Sequence, residues 1–244
     1  MAISELKLPQ GVTAHEYRTP VLLADGLATD VAEQLRAAIS ARGAATLVVS
    51  GGRSPVAFFQ NLARQVLDWS RVTITLADER WVPVEHADSN AGLLKQHLLQ
   101  GPAAEARFLS LYSAAANLED AAEQADRLLA ELPAIDVLVL GMGDDGHTAS
   151  LFPDSPNLAQ ALQADGTRRC WPMLAPTVPH QRLTMSRALL ATAHYTVLSI
   201  SGSSKLTTLS AALAGDDVAA MPIRAFLQPT LEIYWCPRAK DQPL

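Results

Sequence analysis

Apolar residues occur along this chain in short continuous runs rather than in regular alternation with polar ones. The clearest runs are Ala45–Ser50, Val72–Ala77, Ile135–Leu140, Tyr195–Ile200 and Leu231–Cys236. Strands of a parallel sheet are covered on both faces and are therefore apolar throughout. The runs predict the buried strands of a mostly parallel sheet.

Segments with helical periodicity lie between these runs. In Asp30–Arg42, the apolar residues Val31, Leu35 and Ala38 fall on one face, and Gly43 follows as an expected helix end. The pattern predicts helices over Asp30–Arg42, Pro55–Leu67, Ser89–Leu99, Leu118–Leu132 and about 203–214. Alternating strands and helices predict a doubly wound, Rossmann-like α/β fold with helices on both faces of the sheet.

Neither a repeat nor a flexible linker divides the chain, so we expect one α/β catalytic domain over residues 1–244. The stretch at about 152–179 contains five prolines and is predicted to be an irregular excursion over the site. Cys170 and Cys236 have no metal-ligand spacing and are expected to be free, buried thiols.

Composition and charge narrow the classes of function. The chain has 244 residues, of which 49% are hydrophobic and 18% charged, as in a globular protein. A net charge of −6 argues against a nucleic-acid partner. Residues 1–10 lack a signal-peptide pattern, and no apolar stretch is long enough to cross a membrane. We therefore expect a cytoplasmic protein without a membrane partner.

Unusual sequences follow four of the predicted strands. They are Ser50–Pro55 (SGGRSP), Asp78–Pro83 (DERWVP), Gly141–Pro153 (GMGDDGHTASLFP) and Ser201–Lys205 (SGSSK). Ligands of open α/β sheets bind at the carboxyl ends of the strands, near the point where the strand order reverses. The four segments are therefore predicted to converge on one site.

Two of these segments suit a phosphate group. Gly51, Gly52 and Ser54 form a turn that opens into a helix, whose free N–H groups attract anions. The alternative is an ordinary turn in which Ser54 caps the helix. Lys205 lies in the first turn of a helix, where a cation interacts unfavourably with the helix dipole. This mild cost is explained if Lys205 binds an anion. Two further arginines could serve the same charge, namely Arg182 and Arg187, although solvent exposure is the favoured alternative for Arg187.

The third segment points to a catalytic histidine. Gly141–Gly146 formally matches the dinucleotide pattern G-x-G-x-x-G, but Pro153 leaves no room for the long helix which that pattern requires. We interpret the glycine loop as a support for His147, which Asp145 would orient as a general base. A structural histidine is the alternative. Asp78 belongs either to a solvated turn or to the wall of the cleft.

These segments, in this order, resemble the 6-phosphogluconolactonase family of the glucosamine/galactosamine-6-phosphate isomerase superfamily. The resemblance spans about residues 15–238. It rests on Ser50–Pro55, Asp78–Pro83 with Ser89-Asn90, Gly141–Pro153, Arg182-Leu183-Thr184 and Ser201–Lys205.

The resemblance implies hydrolysis of 6-phospho-D-glucono-1,5-lactone to 6-phosphogluconate in the oxidative pentose phosphate pathway. It implies no cofactor and no essential metal, and a small-molecule phosphosugar lactone as the partner. We expect the protein to be a monomer or small homo-oligomer. His147 would be the acid/base and Asp145 its support. The residues implied in substrate binding are Gly51, Gly52, Ser54, Asp78, Arg80, Asn90, Arg182 and Lys205. The resemblance gives Arg53 no role.

Three alternatives remain open at this stage. A glucosamine-6-phosphate deaminase/isomerase shares the fold and an Asp-Gly-His loop, but this chain has Phe152 where that family has a glutamate. A non-catalytic sugar-phosphate sensor would carry a DNA-binding segment, which the sequence does not show. A nicotinamide dehydrogenase is disfavoured by the short loop after Gly146.

Overall fold

A parallel sheet of seven strands lies at the centre of the computed structural model, which describes residues 2–52, 54–175 and 180–238. Its strands are β1 (Thr13–Glu16), β2 (Ala45–Val49), β3 (Val72–Leu76), β5 (Arg107–Leu109), β6 (Val137–Leu140), β9 (Tyr195–Ser201) and β10 (Leu231–Cys236). Every predicted strand is present, and its ends differ from the prediction by at most two residues. The short edge strands β1 and β5 were not predicted. The prediction of a mostly parallel α/β sheet is confirmed.

The described residues also form seven α-helices. They are α1 (Pro20–Arg42), α2 (Val56–Ala63), α3 (Asn90–His97), α4 (Leu118–Leu129), α5 (Leu158–Ala161), α6 (Arg187–Leu190) and α7 (Ser203–Leu213). Short 3-10 helices lie at Ile3–Glu5, Trp69–Arg71, Gly101–Glu105 and Pro222–Phe226. None of the helices in this part of the chain has an apolar stretch long enough to cross a membrane.

The predicted start of the first helix was wrong. The helix begins at Pro20, where Thr19 caps it by accepting the N–H of Leu22, and it ends as predicted at Gly43 in the left-handed conformation. Val21 and Leu22 are exposed although they are apolar, so the first turns of the helix lack an amphipathic pattern. The sequence pattern therefore did not reveal these turns. The predicted end of the second helix was also wrong, because α2 ends at Ala63 rather than at Leu67.

A second, antiparallel sheet was not predicted. It consists of β4 (Asp78–Arg80), β8 (Gln181–Met185) and β7 (Cys170–Leu174) in the order β4-β8-β7. The expectation of irregular structure over 152–179 is thus wrong for β7 and for α5, while 176–179 lies outside the described residues. Pro172 lies within β7, a position that a sheet tolerates because β7 is an edge strand.

Both sheets share one buried apolar core. Leu47 and Ile74 of the large sheet belong to the same cluster of buried residues as Leu183 and Met185 of the small one. Cys170 and Cys236 are free and buried, as expected. Burial raises the pKa of the Cys170 thiol to about 12, which makes it a poor nucleophile at neutral pH.

The strand order reverses between β2 and β6, which are neighbours in the large sheet. Along the chain, the strands continue from β2 to β3 and β5 on one side and from β6 to β9 and β10 on the other. Right-handed crossovers place the connections of the two halves on opposite faces. The crevice at this reversal opens at the carboxyl ends of β2 and β6, where Ser50 and Gly141 follow.

A buried carboxylate joins the small sheet to α3. Glu79 of β4 accepts the backbone N–H groups of Asn90 and Ala91, at 2.8 and 2.7 Å, and that of Arg80 at 2.7 Å. Burial raises the pKa of Glu79, against the opposing effect of these three hydrogen bonds. The carboxylate therefore accepts the otherwise unpaired N–H groups at the buried start of α3 and fixes Asn90 relative to β4.

We predict that Glu79→Ala lowers the free energy of unfolding by about 3 kcal/mol, because it leaves buried N–H groups without an acceptor. Urea denaturation followed by circular dichroism measures the loss. Glu85→Ala, which removes a nearby but exposed carboxylate, is the matched control and should change stability by less than about 0.5 kcal/mol. A loss below about 1 kcal/mol for Glu79→Ala would contradict this account.

Candidate active site

A cavity of about 400 Å³ opens at the reversal of the strand order. It is lined by all ten residues that the resemblance assigned to the site: Gly51, Gly52, Ser54, Asp78, Arg80, Asn90, Asp145, His147, Arg182 and Lys205. The predicted convergence of the four strand ends is therefore observed, while the roles of the individual residues stay predictions. Arg187 is not among the lining residues, and its guanidinium donates to the carbonyl of Leu162.

His147 is held by Asp145 through two hydrogen bonds. Nδ1 of the ring lies 2.6 Å from Oδ1 of Asp145, and the same oxygen accepts the backbone N–H of His147 at 3.0 Å. A carboxylate partner places the ring proton on Nδ1, which leaves Nε2 with a free lone pair. Burial by itself raises the pKa of Asp145, but the hydrogen bonds from His147 outweigh it and hold the pKa at about 2. Asp145 is therefore ionised at neutral pH.

The glycines of this loop leave room for the imidazole. A Cβ on Gly143 would lie 2.1 Å from Nδ1 of His147, so only glycine fits there. Gly146 has a φ of +79°, in the left-handed region that glycine favours. The Phe152 ring packs against the imidazole, with 4.4 Å between the ring centroids. An isolated bridge between Thr148 and Leu151 follows the loop instead of a long helix, which agrees with our rejection of a dinucleotide site.

Two arginines face the cavity from the small sheet. Arg80 of β4 and Arg182 of β8 are direct cross-strand partners, and the Nε atoms of both are buried without a hydrogen-bond partner among the described residues. Burial lowers the pKa of Arg182, and the neighbouring charge of Arg80 lowers it further. Two guanidinium groups held together in this way favour an anion between or beside them.

Lys205 lines the cavity from the first turn of α7. Its ammonium group lies 2.6 Å from Oδ1 of Asp144, whose side chain is 80% exposed. The sequence indicated that Lys205 binds an anion, and in this structure the Asp144 carboxylate is the anion that it contacts. The Lys205 side chain is only 17% exposed, whereas its partner Asp144 is free to move into solvent, so a phosphate dianion could take the place of the carboxylate.

Asp78 and Asn90 complete the wall beside the arginines. Oδ2 of Asp78 accepts the Ser150 hydroxyl at 2.6 Å. The Asn90 side chain donates to the backbone carbonyl of Asp78 at 3.0 Å and accepts from Arg80 at 2.7 Å. Gly51 lies so close that a Cβ there would be 2.0 Å from Oδ1 of Asn90. The Asn90 side chain can therefore occupy this position only because residue 51 is a glycine.

Sequence reasoning missed part of the lining. Leu23, Ala24 and Leu27 of α1 form an apolar wall, but the predicted helix began after them. Ser150 lies in the histidine segment, yet its bond to Asp78 joins residues 72 positions apart and had no local signal. The Ser50 hydroxyl is buried without a partner among the described residues, and the sequence analysis gave it no role.

Comparison with known proteins places these features in a family. A family model described as glucosamine-6-phosphate isomerases/6-phosphogluconolactonase matches residues 18–235. Proteins named 6-phosphogluconolactonase from Pseudomonas putida and Pseudomonas aeruginosa are 65% and 62% identical to the chain. Each alignment covers 97% of this chain, and 98% and 100% of the respective relative.

Solved structures agree with the sequence relatives. A 6-phosphogluconolactonase from Shewanella baltica is 40% identical, with a TM-score of 0.90 over 94% of this chain and 100% of that one. A monomeric glucosamine-6-phosphate deaminase, at 20% identity and a TM-score of 0.76 over 93% of this chain and 98% of that one, shares the fold. The chain belongs to the glucosamine-6-phosphate isomerase/6-phosphogluconolactonase family.

Proposed function

We propose that this protein hydrolyses 6-phospho-D-glucono-1,5-lactone to 6-phosphogluconate, a step of the oxidative pentose phosphate pathway. The observation that carries the proposal is a single cavity in which His147 and Asp145 lie with Arg182 and Lys205. The cavity thus combines an oriented imidazole with cations for a phosphate. Relatives that bear the name 6-phosphogluconolactonase and are more than 60% identical over nearly the whole chain support the same substrate.

The proposed reaction needs no covalent intermediate, because a δ-lactone is an activated ester. Nε2 of His147 takes a proton from water as the water oxygen bonds to C1 of the lactone. The tetrahedral intermediate then breaks the bond between C1 and the ring oxygen, and protonated His147 returns the proton to that oxygen. The ionised Asp145 stabilises the imidazolium that forms in between. General acid–base catalysis of this kind contributes about 10²–10⁴-fold.

The basic residues divide between the two ends of the substrate. Arg182, Lys205 and the turn that contains Gly51, Gly52 and Ser54 would bind the phosphate, with Lys205 exchanging Asp144 for it. Arg80, or backbone N–H groups, would stabilise the oxyanion at C1. Asp78 and Asn90 would line the lactone end. Because the phosphate does not react, its binding energy can be used to orient the carbonyl.

Phe152 favours hydrolysis over the deaminase reaction. The related deaminases, by resemblance, use a glutamate at this position to help open the sugar ring, whereas here an apolar ring packs against His147. An apolar side chain cannot transfer a proton. Ammonia release from glucosamine 6-phosphate would identify a deaminase, and binding of 6-phosphogluconate without any turnover of the lactone would identify a sensor.

We further propose that the chain is one catalytic domain, since the two sheets share one core. From the sequence reasoning on targeting and charge, we also propose a cytoplasmic location and no nucleic-acid partner. We propose a monomer or small homo-oligomer as well.

We predict that His147→Ala lowers kcat by about 10²–10⁴-fold, because it removes the base that activates water. The lactone is generated in situ with glucose-6-phosphate dehydrogenase, and acid release is measured above the spontaneous rate. His97→Ala is the matched control, since His97 pairs with Gln60 outside the cavity. Folded His147→Ala protein that hydrolyses the lactone as fast as the parent would refute the proposed base.

We predict that Lys205→Ala raises KM for the phosphorylated lactone at least about tenfold and changes kcat much less, because it removes a contact made equally before and during the reaction. Steady-state kinetics in the same assay separates the two parameters. Lys95→Ala, which removes an exposed cation of α3 outside the cavity lining, should leave both unchanged. An unchanged KM in Lys205→Ala would exclude Lys205 from phosphate binding.

A further inference from the structure

Two histidines and an aspartate meet outside the cavity lining, at the loop between β4 and α3. One donor atom from each of His86, Asp88 and His180 lies within 4.8 Å of the other two. Nε2 of His180 is 2.8 Å from Oδ2 of Asp88, and Nδ1 of His86 is 3.9 Å from the same oxygen. Among the described residues, this is the one group of histidine, cysteine and carboxylate side chains with the spacing of a metal site.

We propose that His86, Asp88 and His180 form a binding site for a divalent transition-metal ion of the zinc class. The proposal is independent of the lactone hydrolysis proposed above, because none of the three residues lines the cavity.

The chemistry of the donors selects the class of ion. Imidazole nitrogens suit zinc, copper, nickel and cobalt, whereas magnesium and calcium prefer sites built of oxygen atoms. Two imidazoles and one carboxylate supply three ligands and leave a fourth position for water, an arrangement that zinc accepts.

The spacing of the donors is close to that of a bound ion. Ligand atoms at about 2.0–2.2 Å from a tetrahedral ion are roughly 3.3 Å apart. The two distances to Oδ2 of Asp88, 2.8 and 3.9 Å, lie on either side of that value. Small rotations of these side chains would therefore bring the donors around an ion. The His86 and Asp88 side chains are exposed, which gives an ion direct access from solvent.

Several features hold the donors in place before an ion arrives. The backbone N–H of Asp88 donates to Nδ1 of His86 at 3.1 Å, which fixes the ring beside Asp88, and an ion bound at Nδ1 would have to take the place of this hydrogen bond. The His86 and His180 rings pack edge to face, with 5.2 Å between their centroids. His180 itself has a φ of +80°, which L-residues rarely adopt.

A bound ion would tie the loop before α3 to the segment that leads into β8. Asp88 and His180 are 92 residues apart in the chain, and their hydrogen bond is the contact that an ion would replace. The backbone carbonyl of Asp88 also accepts Arg80, at 2.8 Å. The ion would therefore stabilise the folded state without entering the cavity, at a residue whose backbone carbonyl also binds Arg80.

The test uses the whole protein, with any affinity tag removed, after treatment with a chelator. Zn²⁺ is titrated by calorimetry and Co²⁺ by its visible absorption. We expect one site per chain, Co²⁺ bands of a low-coordinate site with nitrogen ligands, and a higher melting temperature with Zn²⁺. Asp88→Asn and His180→Ala should each weaken binding at least tenfold and abolish the rise in melting temperature.

His97→Ala controls for the loss of one histidine elsewhere and should bind the ion as the parent does. Asp88→Asn keeps the shape of the side chain, so it remains informative if His180→Ala does not fold. Absence of saturable binding in the parent, or binding unchanged in Asp88→Asn, would overturn the proposal. Lactone hydrolysis measured on the same samples reports separately on the proposed function.

Discussion

The hydrogen bond between Asp145 and the ring of His147 is the interaction on which the site depends. It fixes the tautomer of the imidazole, fixes the direction of its free nitrogen, and keeps a negative charge beside the position where imidazolium would form. The loop that makes this bond possible admits no side chain at Gly143. It begins where β6 ends, next to β2, so the imidazole lies where the order of the strands reverses.

The site also requires a concentration of positive charge to bind an anion, and the small antiparallel sheet provides it with two arginines. Pairing of β4 with β8 places Arg80 beside Arg182, an arrangement that is unfavourable until an anion enters. Glu79 of β4 accepts the backbone N–H of Asn90 at the start of α3, and the Asn90 side chain in turn accepts from Arg80 and fixes its position. The site therefore combines both sheets: the general base, the glycine turn and Lys205 follow strands of the large sheet, the two arginines lie on the small one, and one buried core joins the sheets.

The centre of the fold could be predicted because its signals are local. Continuous apolar runs mark β2, β3, β6, β9 and β10, and the chemistry-bearing residues directly follow the first four of these strands. The second sheet escaped prediction because β4 is only three residues long and charged, and because Pro172 makes β7 resemble a loop. The first turns of α1 escaped because Val21 and Leu22 are exposed apolar residues.

Contacts between distant segments were the other part that sequence reasoning could not supply. The pair formed by Asp144 and Lys205 and the bond from Ser150 to Asp78 depend on how far the loops extend from the sheet. The approach of His180 to Asp88 likewise depends on the unpredicted β8. In each case the residue types were visible in the sequence, while their partners were set by the tertiary structure.

A crystal structure of the protein with 6-phosphogluconate bound would test the central claim most directly, since it shows both ends of the product at once. The account predicts that the phosphate contacts Lys205, Arg182 and the turn at Gly51, and that the C1 carboxylate lies within hydrogen-bond distance of Nε2 of His147. A phosphate bound beside His147, or a C1 carboxylate remote from it, would contradict the account.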